Sequence, residues 1–238
     1  VTCTMGGMLK GSGMIHPNMA TTLTFITTDA DISAELLQRA LSDIVKVTLN
    51  RASVDGDTST NDMVCVLASG SAGNKTVCRE DEDFEEFETA LYAIMMNLAR
   101  KMARDGEGAT KLIECSVSGA ETEKIAETVA KSVICSSLFK AAMFGEDANW
   151  GRILCAVGYA DADFDINKVD VKIASAKGSV EVCKNGAGVE FSEEKAKDIL
   201  GEEVIEIIIS IGSGAGEAVA WGCDLTYDYV KINGDYRS

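Results

Sequence analysis

A loop near the start of the chain contains residues whose types and spacing suit acyl-transfer chemistry. The stretch "KGSGMIHPNMATT" (10–22) holds the only histidine and the only proline of the 238 residues, and it ends in Ala20, Thr21 and Thr22. A threonine hydroxyl is a weak nucleophile unless a base takes its proton, and an N-terminal threonine has such a base in its own α-amino group, with a pKa of about 8. Cleavage between Ala20 and Thr21 would create that amine. The residues alone leave two interpretations open, a plain connection or a self-cleaving loop that exposes Thr21.

Two further polar segments could contribute to a site. "VDGDTSTND" (54–62) groups three acids, an asparagine and three hydroxyls. Calcium prefers such oxygen ligands, but the order does not fit an EF-hand, so a turn held by Asx and Ser/Thr hydrogen bonds is expected. "DGEGATK" (105–111) places Glu107 between Gly106 and Gly108, where a ligand's ammonium group could reach the carboxylate. A turn that ends a helix is equally compatible with that spacing.

The composition narrows the possible classes of protein. A hydrophobic fraction of 46% suits one large or two small globular domains with a real core. The net charge of −16 disfavours nucleic acid and anionic membrane surfaces as partners, because both attract clustered Lys and Arg. Neither a signal peptide nor an apolar run long enough to span a bilayer is recognisable, so we expect a cytoplasmic protein. His16 is expected to pack within its loop beside Pro17.

The eight cysteines predict neither disulfides nor a metal site. No C-x-x-C pair occurs and one histidine cannot complete a zinc site, so no metal is expected. Cys65, Cys135 and Cys155 each lie in an apolar run. We therefore predict buried free thiols in a reducing compartment.

Hydrophobic periodicity predicts a chain of mixed α and β structure. Ser118 and Glu121 form an S-x-x-E capping box, which predicts a helix from there to about Phe144. At "GEDANWGRI" (145–153) the sequence patterns change from long helices to mostly short strands, which predicts a domain boundary between 145 and 160. The other expected elements are strands at 21–28, 63–70, 111–119, 168–174 and 203–212, helices at 31–50 and 80–104, a hairpin at 179–191, a short helix from Ser192 to Gly201, and a strand-like tail at 218–233.

Five segments together resemble, in order and spacing, the ornithine/glutamate N-acetyltransferase family of arginine biosynthesis, over nearly the whole chain. The segments are "KGSGMIHPNMATT", "VDGDTSTND", "DGEGATK", "FGEDANWGRI" and "GCDLTYDYVKINGDYRS". The resemblance implies a mixed α+β fold, a layered α/β/β/α architecture of the N-terminal-nucleophile type, with a smaller C-terminal α/β domain. It implies three parts: the tail of an α chain (1–20), a catalytic β-chain domain (21–150) and a C-terminal domain (151–238).

The resemblance also implies the residues of the site. The precursor is expected to cut itself between Ala20 and Thr21, and Thr21 would then carry the acetyl group. Substrate binding is expected through Thr21 and four further residues: Lys10, Glu107, Asn233 and Ser238. Two positions depart from the family, since Thr22 stands where Met is frequent and Ser238 replaces a threonine. Serine keeps the hydroxyl and loses a methyl group.

The implied activity is a ping-pong transfer of acetyl from N-acetylornithine to glutamate, with ornithine and N-acetylglutamate as products. No cofactor is implied, although some members take acetyl from acetyl-CoA. The family's α chain is much longer than the twenty residues before Thr21, and the segment not seen here supplies the Thr-Gly oxyanion hole. Two cleaved protomers are expected to form an α2β2 heterotetramer. Two alternatives stay open: an N-terminal-threonine amidase or aminopeptidase of the same fold family, and a non-catalytic binding module.

Overall fold

The computed structural model describes residues 1–17 and 22–236. The chain divides into two compact units, Val1–Met102 and Ala103–Ser238. The division falls inside a long helix and lies well before the boundary expected between 145 and 160. Within the described residues, no helix is long and apolar enough to cross a membrane.

The first unit contains a three-stranded sheet and two helices. In chain order the elements are β1 (Met5–Lys10), β2 (Leu23–Thr28), α1 (Ala34–Val47), a 3-10 turn (Leu49–Arg51), β3 (Met63–Ala68) and α2 (Glu82–Arg104). The sheet order is β1-β2-β3, with β2 antiparallel to β1 and parallel to β3. Inward and outward residues alternate along β2. A Cβ atom on Gly7 would lie 3.1–3.3 Å from side-chain atoms of Ile26, Ile94 and Leu98, so the absence of a side chain lets α2 pack closely on the sheet.

The second unit contains a six-stranded mixed sheet covered by helices. Its elements are β4 (Leu112–Ala120), α3 (Glu123–Cys135), α4 (Ser137–Phe144), α5 (Trp150–Gly158), β5 (Asp170–Ser175), β6 (Gly178–Lys184), β7 (Ala187–Gly188), α6 (Glu193–Leu200), β8 (Val204–Ser210), β9 (Gly216–Cys223) and α7 (Tyr227–Asp235). The sheet order is β7-β6-β5-β8-β4-β9, and only β4 and β8 run parallel. One apolar core joins this sheet to α3, α4, α5 and α6.

The mixed α+β class is confirmed, but three local predictions are wrong. Ser118 does not cap a helix, because β4 continues to Ala120 through its pairing with β9, and Thr122 caps α3 instead. The helix expected to reach Phe144 is two helices, because the hydroxyl of Ser136 accepts from Phe139 N and starts α4. The strand-like tail is a strand only to Cys223, after which Thr226 caps α7.

The cysteines are all free, as predicted, but their burial differs from the prediction. Cys155 is exposed on α5, and Cys65 and Cys135 are half-buried. Cys155 lies on a helix of nine residues, so its apolar sequence neighbours face the core while it faces outward. Burial raises the pKa of Cys115, which lies in the core of the second unit, well above its usual range.

Candidate active site

The candidate nucleophile and two of its predicted neighbours in the site lie outside the described residues. These are Ala20, Thr21 and Ser238. The structure does describe the residues that flank Thr21. Thr22 is buried, and its carbonyl accepts a hydrogen bond of 2.7 Å from the backbone N–H of Met63. The start of β2 is therefore fixed directly after the candidate nucleophile.

Lys10 lies on the strand next to the one that Thr21 precedes. It is the last residue of β1 and is the register partner of Leu23 in β2. Its side chain is exposed. The antiparallel pairing of β1 with β2 thus brings Lys10 to the end of the sheet at which β2 begins. That its ammonium group binds a substrate carboxylate stays a prediction.

Asp62 lies on the other side of the start of β2. It directly precedes Met63, the β3 partner of Leu23. Both carboxylate oxygens are buried and accept no hydrogen bond from residues 1–17 or 22–236. Desolvation raises the pKa of Asp62 to about 6, and the nearby backbone amide of Thr22 offsets part of this rise although it does not reach hydrogen-bonding geometry. The sequence showed Asp62 only as one acid of a polar turn, and its place beside Thr22 depends on strand register.

The segment 54–62 forms the hydrogen-bonded turn that the sequence predicts. The carboxylate of Asp55 accepts from the backbone N–H groups of Met14 (2.7 Å) and Ile15 (2.9 Å). The hydroxyl of Thr58 donates to the carbonyl of His16 (2.8 Å). This turn anchors the loop that leads to the candidate cleavage site. Among residues 1–17 and 22–236, no cluster of three or more His, Cys, Asp or Glu could hold a metal ion.

His16 packs within its loop, as predicted, and has a polar partner there. Its Nδ1 atom lies 3.1 Å from the hydroxyl of Ser53, and that hydroxyl also lies 3.2 Å from the carbonyl of Ile15. Pro17 beside it is buried. The contacts assign His16 to the support of the loop.

In the second unit, the structure brings together two residues of the predicted substrate site. The side-chain amide of Asn233, on α7, donates to Oε2 of Glu107 at 2.9 Å and to the carbonyl of Tyr229 at 3.0 Å. Glu107 is half-buried and Asn233 is exposed. A neutral amide leaves the charge of Glu107 intact, so the carboxylate can attract the ammonium group of a ligand.

Gly108 allows the turn that carries Glu107 to approach the start of α7. Its φ is +70°, and a Cβ atom there would lie 2.7 Å from the backbone nitrogen of Tyr229. The hydroxyl of Thr226, the N-cap of α7, donates to the carbonyl of Gly108 at 2.8 Å. The two glycines around Glu107 thus do more than expose a carboxylate, because the second one permits the contact with α7.

A buried carboxylate fixes the other end of the same turn. Asp224 is 3% exposed, and its Oδ1 accepts from the backbone N–H groups of Thr110 (2.8 Å) and Lys111 (3.0 Å). The hydroxyl of Thr110 donates to Oδ2. Sequence reasoning missed Asp224 and Thr226, although both lie in the quoted segment "GCDLTYDYVKINGDYRS".

Comparison with known proteins agrees with this fold and these motifs. The ArgJ family model matches residues 1–238. The chain is 53% identical over 235 residues to "Arginine biosynthesis bifunctional protein ArgJ 1" of Clostridium acetobutylicum, covering 99% of this chain and 58% of that protein. It is 54% identical over 235 residues to the protein named ArgJ in Caldanaerobacter subterraneus subsp. tengcongensis, with the same coverage.

A solved structure shows the same fold. The crystal structure of the arginine biosynthesis bifunctional protein argJ from Bacillus halodurans superposes with a TM-score of 0.84 at 46% identity, covering 90% of this chain and 98% of that chain. The fold defines a protein of the mixed α+β class. The chain belongs to the ArgJ family, and it spans about 58% of the length of the curated relatives.

Proposed function

We propose that this chain is the catalytic part of an acetyltransferase that moves an acetyl group from N-acetylornithine to glutamate through an acetyl ester on Thr21. The match of the ArgJ family model over residues 1–238 carries the proposal. The pairing of Glu107 with Asn233 and the position of Lys10 at the start of β2 support it. These three side chains offer the charged and polar groups that can bind the carboxylate and ammonium groups of an amino-acid substrate.

The reaction requires that Thr21 first become N-terminal. Its hydroxyl oxygen attacks the carbonyl carbon of Ala20, the C–N bond breaks, and the proton passes to the nitrogen of Thr21. Water then hydrolyses the resulting ester, which restores the hydroxyl and leaves a carboxylate on Ala20.

Acetyl transfer then proceeds in two half-reactions. The α-amine of Thr21 takes the hydroxyl proton while the oxygen attacks the acetyl carbonyl, and ornithine leaves as the amide bond breaks. The α-amine of glutamate next attacks the acetyl ester, and N-acetylglutamate leaves as the hydroxyl is restored. Lys10 pairs with a substrate carboxylate and Glu107 with a substrate ammonium group, while Asn233 and Ser238 add hydrogen bonds.

The whole enzyme includes polypeptide beyond this chain. The Thr-Gly oxyanion hole belongs to the remaining α-chain segment, and two cleaved protomers assemble as α2β2 in the cytoplasm. No metal or bound cofactor takes part, and acetyl-CoA is a possible second donor. These features rest on the family resemblance.

The test uses the complete precursor. Mass spectrometry should find a chain that begins at Thr21, and incubation with N-acetylornithine should add one acetyl group to it. Thr21→Ala should abolish both, Thr21→Ser should retain both, and the matched control Thr22→Ala should retain both although Thr22 is the adjacent hydroxyl. Acetylated Thr22 in place of Thr21 would contradict the proposal. Release of free acetate in place of N-acetylglutamate would assign the chain to the amidases.

A further inference from the structure

Lys140 is a buried lysine whose amine lies against the end of β9. It is a residue of α4 and is only 4% exposed. Its Nζ atom donates a hydrogen bond to the carbonyl oxygen of Cys223 and lies 3.5 Å from the sulfur of that residue. Lysine is rarely buried to this extent, because its amine loses the hydrogen bonds that water supplies. The amine of Lys140 exchanges those bonds for a fixed contact with one backbone carbonyl.

The helix α4 contacts the same segment of the chain at two further points. The carbonyl of Lys140 accepts a hydrogen bond of 3.2 Å from the backbone N–H of Leu225. At the end of α4, the ring of Phe144 meets the ring of Tyr227 edge to face, with 5.5 Å between the ring centroids. The segment 223–227, which joins β9 to α7, is therefore fastened to α4 by side chains and by backbone.

The same segment holds the turn that carries the predicted substrate carboxylate. The carboxylate of Asp224 accepts from two backbone N–H groups of the turn 105–111, and the hydroxyl of Thr226 donates to a carbonyl of that turn. Cys223 and Leu225, which α4 holds, directly flank Asp224 in the sequence. A displacement of the segment from α4 would therefore move both groups that bind the turn.

We propose that Lys140 is a positioning residue of the substrate site, which fixes the segment 223–226 against α4 and thereby fixes the carboxylate of Glu107. The inference rests on the proposed function, in which Glu107 binds the ammonium group of a substrate. The path from Lys140 to the turn consists of contiguous hydrogen bonds within the second unit. A binding group keeps its geometry only when the residues behind it are themselves held in place.

The first experiment measures the turn itself and does not depend on catalysis. Amide hydrogen exchange of the complete protein is compared in wild type, Lys140→Met and the control Lys124→Met, an exposed lysine of α3. Methionine keeps an unbranched apolar side chain and removes the donor. We expect the amides of Thr110 and Lys111 to exchange at least about 10-fold faster in Lys140→Met, relative to the core amide of Cys115 on β4, and to keep their rates in Lys124→Met.

The amide of Cys115 separates positioning from a general loss of stability. Its exchange reports any change in the stability of the whole second unit, because Cys115 lies on a central strand in the core. A merely structural role of Lys140 would accelerate the turn and the core strand by the same factor. That result, or unchanged protection of the turn, would overturn the proposal.

The second experiment measures substrate binding by the complete cleaved enzyme. KM and kcat are determined for the substrate that binds through its ammonium group, in Lys140→Met, Glu107→Gln and the double variant. We expect Lys140→Met to raise KM about 3- to 30-fold and to leave kcat within about threefold, because a misplaced binding group weakens the ground state and the transition state alike. A fall in kcat with an unchanged KM would reject the assigned role.

The double variant shows whether Lys140 acts through Glu107. Once Glu107→Gln has removed the charge, its exact position matters less, so adding Lys140→Met should raise KM by less than about twofold. Two effects on KM that simply multiply would show that Lys140 acts on the substrate by another route, and the proposal would fail.

The outcomes separate this inference from the proposed function. If Lys140→Met loosens the turn but Glu107→Gln leaves KM unchanged, the assigned function of the site fails and the hold of Lys140 on the turn stands. If Glu107→Gln raises KM but Lys140→Met changes neither exchange nor KM, the inference alone fails. If Lys140→Met does not fold, Lys140→Arg and Lys140→Gln are compared instead: the turn should exchange faster in Lys140→Gln, whose side chain is shorter and uncharged, and equal rates would overturn the proposal.

Discussion

Two side chains show how neighbouring atoms give the same carboxyl group different properties. Glu107 has a neutral amide donor 2.9 Å away, on a half-buried turn. Among the described residues, no group donates to the two buried oxygens of Asp62. The first arrangement keeps a charge available for a ligand, whereas in the second desolvation raises the pKa of the carboxyl to about 6.

Removal of the charge of Glu107 should weaken substrate binding. Glu107→Gln keeps the size and the contact with Asn233 but removes the charge, and a charge-assisted hydrogen bond contributes about 1.5–3 kcal/mol. We therefore expect KM for the substrate that binds through its ammonium group to rise about 10- to 150-fold. Steady-state kinetics of the complete cleaved enzyme measure this. Asp105→Asn, an exposed carboxylate in the same turn, should leave KM within about twofold, and an unchanged KM in Glu107→Gln would remove the assigned role.

Asn233 should act on substrate binding together with Glu107. Asn233→Ala removes the donor to Oε2, so the carboxylate loses its orientation and KM should rise less than in Glu107→Gln. Because the two side chains are in contact, the double variant should depart from additivity by at least about 0.5 kcal/mol in the free energy derived from kcat/KM. Strict additivity would show that the hydrogen bond has no part in binding.

At the scale of the element, the turn at 105–111 is held by the N-cap of α7 and by the residue that directly follows β9. Thr226 bonds to Gly108 and Asp224 bonds to Thr110 and Lys111. The partners are more than 110 residues apart in sequence, as the hydrogen bonds themselves show. The position of Glu107 therefore depends on tertiary contacts and not on the local turn alone.

A side chain at residue 108 should separate the turn from α7. Gly108→Ala combines a positive φ with a contact of 2.7 Å to backbone, and we expect a loss of about 2–4 kcal/mol in the free energy of unfolding. Gly73→Ala is the matched control for the backbone conformation, since its φ is +71° and nothing lies within 4 Å of the added atom. It should cost only about 1–2 kcal/mol. Chemical denaturation measures both, and equal losses would show that the contact is relieved without cost.

Because Asp224 accepts several hydrogen bonds, two substitutions there should lower the unfolding free energy by different amounts. Asp224→Ala removes the acceptor of the buried Lys111 N–H and of the part-buried Thr110 N–H, and it should cost about 2–4 kcal/mol of unfolding free energy. Asp224→Asn keeps the Oδ1 acceptor for both amides and loses the acceptor for the Thr110 hydroxyl, so it should cost about 1–2 kcal/mol. Denaturant titrations of the two variants should preserve this order.

Local signals predicted some elements correctly, while long-range pairing decided the others. The helix α6 begins after Ser192 and ends at Gly201, as expected, because its cap and its stop are both local. The helix start predicted at Ser118 is wrong because the pairing of this residue within the sheet outweighs its capping propensity. Asp62 and Asp224 could not be singled out from the sequence, since the significance of each depends on a register partner or acceptor contact distant along the chain. The family resemblance, by contrast, rested on long composite motifs and is confirmed.

At the scale of the molecule, the chain spans about 58% of the length of its relatives. If the oxyanion hole lies in the remainder, residues 1–238 alone should transfer acetyl at least about 100-fold more slowly than the complete protein, which is the usual effect of losing one oxyanion donor. Side-by-side assays with N-acetylornithine and glutamate measure the ratio, and addition of the remaining polypeptide should restore the rate. Comparable turnover by the isolated chain would place the oxyanion donors within it.

The buried carboxylate beside Thr22 also affects how the stability of the protein depends on pH. The folded-state pKa of Asp62 lies above its ordinary value, at about 6, so the folded state binds more protons and the contribution of this group to the unfolding free energy falls as pH rises from about 4 to about 6. Asp62→Asn removes this titration, so the melting temperature of the variant should rise relative to that of the wild type between about pH 4 and about pH 7. A constant difference between the two would show that folding does not change the pKa of this carboxyl. One side chain would then give the protein a small preference for mildly acidic surroundings.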